Sequence, residues 1–213
     1  QRTAYEIMSG DWSSDVCSSD LSGGFIVRKG GTPERDPIQL IHSEHLMMRE
    51  VLDAIDRLVL EPSSHLSEAA LEPYGYLRDE YLAHHLDEDE AMFPFLRQRA
   101  EPEDRIDEIL DRLEADHDNG HGQIGRVLTI LKAMVDNDKA PCGQDFETLR
   151  FFAASERRHL IVENAIVLPI ARARLKKADL AEIYGKMLAR RGFDRVMNEI
   201  EGRTNANPVS GKE

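Results

Sequence analysis

The 213-residue sequence predicts an all-α protein: an up-down-up-down four-helix bundle with an additional C-terminal helix. Four long segments repeat apolar residues every three to four positions, which is the period of an amphipathic helix. Three of these apolar stripes are interrupted by pairs of histidine or glutamate four residues apart. The chain therefore combines helical cores with ionisable side chains inside them.

Proline, glycine and the ends of the apolar stripes set the expected helix limits. The four bundle helices are expected at residues 37–60, 67–98, 102–136 and 144–175. Pro73 with Gly75 is expected to break or kink the start of the second helix, and Pro94 and Pro169 to kink or end the second and fourth. A further amphipathic segment at residues 177–191 predicts a fifth helix, which packs across the bundle or against another subunit of a homo-oligomer.

The domain limits follow from this pattern. Gly- and Pro-containing residues 22–36 are expected to form a flexible lead, residues 37–175 the bundle, residues 176–200 the C-terminal helix and residues 201–213 a disordered tail. Residues 11–21 match the translation of a widely used sequencing-library adapter, and residues 3–7 match the preceding adapter stretch, although Arg2 departs from it. Residues 1–21 are therefore predicted to be an artefact and are excluded from the fold.

Seven side chains of metal-ligating type lie on the predicted core faces. Two residues four apart on a helix share one face, roughly 6 Å apart along the axis, so each pair can point at one object. Burying ionisable groups costs several kcal/mol apiece unless they are paired or coordinated. One histidine on an apolar face is more often a hydrogen-bonded core residue than a ligand, but that interpretation weakens for a set of seven. The set is His45, His84, Glu88, His117, His121, His159 and Glu163.

Two of the pairs belong to an internal repeat. Residues 84–94 align without gaps on residues 159–169, and both read H-x-x-x-E with a proline six positions after the glutamate. The second and fourth helices therefore look like copies of one unit. In an up-down-up-down bundle these two helices run parallel, so each offers one carboxylate at a similar height.

The donor types indicate which metal is expected. Imidazole and carboxylate without thiolate suit iron or manganese, whereas a structural zinc site is expected to use cysteine and to close at four ligands. Ferritin-like di-iron proteins would show E-x-x-H pairs at three-residue spacing. Five candidate histidines and two glutamates instead give an imidazole-rich set.

This ordered set resembles the hemerythrin-like cation-binding (HHE) family, whose members are four-helix bundles around a non-haem di-iron centre. The resemblance covers roughly residues 37–175 and implies two Fe ions with an oxo or hydroxo bridge. Where respiratory hemerythrins of marine invertebrates have an aspartate, this chain has Asn164, and the carboxylate is Glu163 one residue earlier. The resemblance implies that one iron is held by His117, His121 and His159, the other by His45 and His84, with Glu88 and Glu163 bridging.

Several neighbours of this set have two interpretations each. His42, one turn before His45, is expected either to flank the site through hydrogen bonds or to occupy a vacant metal position. Tyr81 and Glu156 each lie one turn before a ligand and are expected either to hydrogen-bond to ligands or bound oxygen, or to pack at the bundle edge. His85 points about 100° away from His84, which favours a packing role between helices.

Composition limits the partners and the location. A net charge of −13 argues against nucleic acid or an anionic membrane as partner. Cys142 is the only cysteine outside residues 1–21, which suits a reducing cytoplasm. No apolar run approaches the ~20 residues of a membrane span.

The function stays open between three classes at this point. The first is a protein that binds or senses O₂, or a related small ligand such as NO, at the iron pair. The second is an enzyme that removes peroxide, O₂ or NO at the same site, and the third is iron storage or donation. No acid-base constellation is evident beyond the ligands, which favours binding.

Overall fold

The computed structural model describes residues 36–60, 65–138 and 140–192. Within these ranges every regular element is a helix and there is no strand. The predicted artefact at residues 1–21 and the predicted tail at residues 201–213 lie outside the described residues. So do the predicted lead, apart from Asp36, and the last eight residues of the segment 176–200.

The first helix, α1, spans Pro37–Leu60, as predicted. Asp36 begins it by accepting hydrogen bonds from the backbone N–H groups of Ile38 and Gln39, at 3.0 and 3.2 Å. Such a side-chain acceptor satisfies donors that the first turn leaves free. The buried stripe of α1 carries Ile41 and Met48 with His45 between them.

The predicted second helix is divided into three α-helices and one wider turn. They are α2 at Leu66–Asp79, α3 at Tyr81–Asp87, a π-helical turn at Glu88–Met92 and α4 at Phe93–Arg99. A break at Pro73 is not found, because α2 runs through Pro73 and the chain turns at Glu80 instead. Pro73 is buried with Ala70 and Leu77 on one face of α2, and this packing offsets the backbone hydrogen bond that proline cannot make.

A second π-helical turn occupies the equivalent place in the internal repeat. It spans Glu163–Val167, between α6 at Gly143–Val162 and α7 at Leu168–Arg174. Pro94 and Pro169 are each the second residue of the helix that follows a π-helical turn. Proline has no N–H and its ring collides with the carbonyl four residues earlier, so the wider turn accommodates it. Neither proline ends its helix, because α4 continues past Pro94 to Arg99 and α7 past Pro169 to Arg174; a π-helical turn precedes each proline instead.

The third bundle helix, α5, spans Asp107–Asn137 and begins later than predicted. Pro102–Asp104 forms a separate 3₁₀ turn, and Arg105 then adopts a left-handed conformation with φ of 48°. That residue interrupts the helical path between the turn and α5. The fifth helix, α8, spans Lys177–Arg190, and the prediction of a helix there is confirmed.

The helices enclose two apolar clusters. The helix α1 packs against α2 and α6, and α5 packs against the same two helices. One cluster contains Met48, Leu77 and Phe152, and the other contains Ile41, Met92 and Leu113. Complete burial of one such side chain contributes ~1.5–3 kcal/mol. Along α1 and α5 the buried histidines His45 and His117 fall between the two clusters.

The helix α8 closes one side of the second cluster. Its buried residues Ile183 and Met187 join that cluster, and the helix contacts α1, α3 and the first π-helical turn. Packing against its own chain, the first of the two predicted alternatives, is therefore what the structure has. No helix among the described residues is long and apolar enough to cross a membrane.

Candidate metal centre

Six of the seven predicted ligands lie together between the two apolar clusters. They come from α1, α3, α5, α6 and the two π-helical turns. Each of the four bundle helices predicted from the sequence therefore contributes at least one of them. All are almost inaccessible to solvent, with exposures of 0–4%. The six are His45, His84, Glu88, His117, His159 and Glu163.

Among the described residues, the six form two overlapping groups of four. In each group the ligand atoms lie within 4.8 Å of one another, which is close enough for one cation to bind them. Glu88 and Glu163 belong to both groups. The first group adds His45 and His84, and the second adds His117 and His159.

Each shared carboxylate lies close to histidines of both groups, and Oε2 of Glu88 is also 3.6 Å from Nε2 of His84. Glu88 places Oε1 3.3 Å from Nε2 of His45 and Oε2 3.4 Å from Nε2 of His117. Glu163 places Oε2 3.3 Å from Nε2 of His45 and Oε1 3.0 Å from Nε2 of His159. Two neighbouring cation positions with two carboxylates between them fit this geometry.

Several buried atoms of the centre make no hydrogen bond to any residue that the structure describes. They are Nε2 of His84, Oε2 of Glu88, Nδ1 of His159 and both carboxylate oxygens of Glu163. A buried polar atom without a partner costs roughly 1–3 kcal/mol, and more when it is charged. Cations at the two positions would satisfy most of these atoms. The donor set, imidazole nitrogen and carboxylate oxygen without thiolate, suits iron or manganese.

Charge inside the site is balanced between imidazoles and carboxylates. Burial opposes protonation of His84, but Glu88 and Glu44 raise its pKa to about 9. Burial likewise opposes protonation of His117, whose pKa Asp89 and Glu88 raise to about 10. Despite its own burial, Glu88 has a pKa well below the usual range, because His84 and His117 stabilise the carboxylate. Positive charge, from protons or cations, is therefore favoured at this position.

Three imidazoles are oriented by an acceptor on the far side of the ring. In each case Nδ1–H donates and Nε2 is left facing the shared carboxylates, an arrangement typical of metal-binding histidines. His84 donates to Oε2 of Glu44 at 2.8 Å, His117 to Oδ1 of Asp89 at 2.7 Å, and His45 to Oδ1 of Asn164 at 3.1 Å.

These three acceptors were not predicted, although the sequence carries a signal for them. Glu44, Asp89 and Asn164 are each the immediate sequence neighbour of a predicted ligand: His45, Glu88 and Glu163, respectively. Adjacent helix residues point about 100° apart, so a neighbour that misses the cations can still meet a ring from another helix. Asn164 thus orients His45 in this structure.

His121 lies at the edge of the centre rather than in either group of four. It is partly exposed, and its Nε2 is 3.1 Å from Nδ1 of His85. His85 is 2% exposed and its ring stacks on His117, with centroids 4.1 Å apart and planes 14° apart. His85, His117 and His159 form a third group with ligand atoms within 4.8 Å.

The position of His85 differs from the expectation of a purely packing role. The short helix α3 is buried on two sides. His84 therefore faces α1, where it meets Glu44, while His85 faces α5, where it meets His117 and His121. The 100° between adjacent residues separates the two rings but leaves both within the site.

Tyr81 and Glu156 pair with each other beside the centre. The Tyr81 hydroxyl donates to Oε1 of Glu156 at 2.9 Å, and the residues are 1% and 5% exposed. Burial raises the pKa of both groups. Gly120 allows this pair to approach α5, because a Cβ there would lie 2.2 Å from the Tyr81 hydroxyl oxygen. His42 is partly exposed and lines a surface groove with Arg157 and other residues, outside both groups of four.

The comparison with known families agrees with this geometry. Residues 36–171 match the family described as hemerythrin HHE cation binding domain. No individual curated protein matches the chain. The match covers more than half of the sequence and includes all seven predicted ligands, and the chain therefore belongs to the hemerythrin HHE cation-binding domain family.

Proposed function

We propose that this protein is a non-haem di-iron protein that binds or senses O₂, or a related small ligand such as NO. The observation that carries the proposal is the sharing of Glu88 and Glu163 between two buried groups of donors. Two cations held at adjacent positions can act together on one diatomic ligand. The iron pair, when bound, supplies open coordination and electrons for such a ligand.

The residues of the chain divide between the two ions as the family resemblance implies. His45 and His84 would hold one ion, and His117 and His159 the other, with Glu88 and Glu163 between them and an oxo or hydroxo bridge. The third imidazole of the second ion has two candidates, His121 and His85. The H-x-x-x-H spacing favours His121, because residues four apart on α5 reach the same side.

The chain's own contribution is burial, orientation and exclusion of water. Exposures of 0–4% at the six grouped residues support a dry site, in which electrostatic interactions are stronger than in water. The acceptors Glu44, Asp89 and Asn164 fix the rings before any ligand arrives. A preorganised site of this kind suits selective capture of a small molecule.

The proposed architecture is the up-down-up-down four-helix bundle with α8 added. Packing of α1 and α5 against both α2 and α6 supports it. So does the brevity of the connections, since few residues separate Leu60 from α2 and Asn137 from α6. We also propose a cytoplasmic location, which the single cysteine outside residues 1–21 supports. The net charge of −13 supports the proposal that neither nucleic acid nor a membrane is a partner.

An enzyme that removes peroxide, O₂ or NO is the second candidate. The buried Tyr81–Glu156 pair favours it, because Glu156 lies one helical turn before His159 and burial raises its pKa, which favours the protonated form of a carboxyl group close to the centre. Tyr81 donates to Glu156 rather than toward the shared carboxylates, which favours binding. Iron storage or donation is least favoured, since the six grouped donors are only 0–4% exposed and are poorly placed for repeated exchange of ions with solvent.

Anaerobic reduction followed by O₂ addition separates these candidates. For a binding or sensing protein we expect an optical charge-transfer band that persists and reverses on deoxygenation. Rapid decay of the band with turnover of peroxide would establish the enzyme instead. Stoichiometric zinc without iron in protein purified under iron-replete conditions would contradict the di-iron proposal as a whole.

A further inference from the structure

Two arginines at the end of α8 bind next to the centre, outside the residues that match the family. Arg190 and Arg191 both contact Asp87, which is fully buried. Arg190 places Nε 2.8 Å from Oδ1 of Asp87, and Arg191 bonds the other oxygen. A buried carboxylate requires such a cation, because an unpaired charge inside a protein is strongly destabilising. Asp87 immediately precedes Glu88, so α8 is anchored directly behind the metal centre.

Arg191 makes a second contact that Arg190 does not make. Its Nη2 donates to Oε1 of Glu44 at 2.7 Å, and the other oxygen of Glu44 accepts Nδ1–H of His84 at 2.8 Å. The side chains of Arg191 and Glu44 are only 14% and 15% exposed. Solvent screening is weak at such exposure, and a hydrogen bond between charged groups is stronger there than at the surface.

We propose that Arg191 is a positioning residue for the metal centre, acting on His84 through Glu44. Arg191 holds the Glu44 carboxylate in place, and Glu44 holds the His84 ring with Nε2 directed at the shared carboxylates. That Nε2 is buried and has no hydrogen-bond partner in the described part of the chain, so it is the atom left to bind a cation. The inference rests on the proposed function, because it assigns a residue of α8 to the ion on the His45 and His84 side.

Substitutions of Arg190 and Arg191 can distinguish docking of α8 from positioning of His84. Arg190 and Arg191 share the contact with Asp87, but only Arg191 reaches Glu44. If the arginines serve only to dock α8, Arg190→Gln and Arg191→Gln should change iron binding equally. If Arg191 positions His84, only Arg191→Gln should weaken iron binding. Lys186, an exposed cation of the same helix paired with Glu182, provides the control for loss of one positive charge.

The test is an anaerobic titration of the full-length chain with Fe²⁺ against a competing chelator. We expect Arg191→Gln to weaken binding of one of two ions by about 10–100-fold, the usual effect of removing a group that orients a metal-binding histidine. Glu44→Gln should do the same. The double variant, Arg191→Gln with Glu44→Gln, should lose no more affinity for iron than the more affected of the two single variants. Both residues act along one chain of contacts, so their effects should not add. Arg190→Gln and Lys186→Gln should bind both ions as the original chain does.

Arg191→Lys is a second variant that tests the same proposal if Arg191→Gln does not fold. Lysine keeps the charge beside Asp87, but its single ammonium group cannot reproduce the fork that spans Asp87 and Glu44. We expect this variant to fold and still to weaken one ion. Equal binding of both ions by Arg191→Lys and the original chain, or additive losses in the double variant, would overturn the assignment.

A second measurement does not depend on iron. In the full-length chain, with any bound metal exchanged for diamagnetic Zn²⁺, the proton on Nδ1 of His84 should give a slowly exchanging NMR resonance. Arg191→Gln should shift or broaden that resonance, and Arg190→Gln should leave it in place. If the original chain binds no iron, the di-iron proposal fails while this resonance still decides the role of Arg191. An unchanged resonance in Arg191→Gln would overturn the inference.

Discussion

Glu88 and Glu163 are each the first residue of a five-residue π-helical turn that ends just before a helix with proline in second place. In both turns the glutamate carbonyl accepts the N–H five residues ahead, from Phe93 and from Leu168. The repeat of H-x-x-x-E and proline therefore encodes a backbone irregularity together with the carboxylate. The two side chains belong to both groups of donors, and each lies at the start of the same backbone irregularity.

The shared position of these glutamates predicts how metal is lost. We expect two irons per chain, with Glu88→Gln or Glu163→Gln weakening both, since each carboxylate contributes to both groups. His84→Ala should weaken only the ion on its own side. Metal analysis after dialysis against a chelator measures this. Glu147→Gln, an exposed carboxylate on α6, is the control and should retain both irons. Loss of one iron only in Glu88→Gln would show that the carboxylate is not shared.

His121 and His85 both lie beside the second group, and we expect their substitution by alanine to have opposite effects on iron content. We expect His121→Ala to lose at least one iron. We expect His85→Ala to keep both, because the H-x-x-x-H spacing places His121, and not His85, on the same side of α5 as His117. Iron content and the optical spectrum of each variant provide the measurement. The reverse order would assign the third imidazole to His85.

Gly120 predicts a reversal in the usual effect of glycine replacement. Alanine normally stabilises a helix interior by up to ~1 kcal/mol relative to glycine. At Gly120 a Cβ would lie 2.2 Å from the Tyr81 hydroxyl oxygen and 3.2 Å from Oε1 of Glu156. We therefore expect Gly120→Ala to lower the free energy of unfolding by about 1–3 kcal/mol, the range for an overpacked core.

Two glycines of the same helix provide the control for that measurement. A Cβ at Gly122 or Gly125 meets no atom of the described residues within 4 Å beyond its own helix backbone, so Gly122→Ala and Gly125→Ala should stabilise the protein in chemical denaturation. Tyr81→Phe removes the hydroxyl that the new methyl group meets, so Gly120→Ala should cost less stability in the Tyr81→Phe background than in the original chain. Stabilisation by Gly120→Ala alone would contradict the close approach of Tyr81.

Ligand counting predicts where a small anion binds. If the ions share two carboxylates and one bridge, three imidazoles fill the ion on the His117 side, while His45 and His84 leave one place free on the other. We expect azide to bind on the His45 and His84 side, and His84→Ala to abolish azide binding more readily than it removes the other ion. A crystal structure of the azide complex would decide the point, and azide on the ion held by His117 would contradict it.

The sequence predicted those features that depend on periodicity. The limits of α1, the existence of α8 and the convergence of six ionisable residues all follow from residues that repeat along one helical face. The position of Glu80 as the turn between α2 and α3 could not be predicted in this way, because the apolar stripe runs on past it through Tyr81. Burial of Pro73 is likewise a tertiary effect that a local rule about proline does not contain.

The location of the centre could be predicted from the sequence, but the side chains that contact its ligands could not. His84 and His85 are adjacent, and only the packing of α3 between two neighbours explains why both rings enter the site. Glu44, Asp89 and Asn164 are polar residues beside ligands, and a single sequence does not distinguish a ring acceptor from a surface residue at such a position. The contact from Arg191 spans 147 residues of sequence to reach Glu44, and no spacing rule indicates it.

The division of the interior into two apolar clusters bears on the cooperativity of unfolding. On α1 the polar boundary falls at His45, with Ile41 in one cluster and Met48 in the other. Most side chains that meet at this boundary are ionisable, so cohesion there depends on opposite charges being present in balance. A chain with its cations in place should open as one unit in native-state hydrogen exchange. Once the cations are stripped, the two clusters should exchange with separate free energies, so that the centre sets whether the molecule behaves as one folding unit or two.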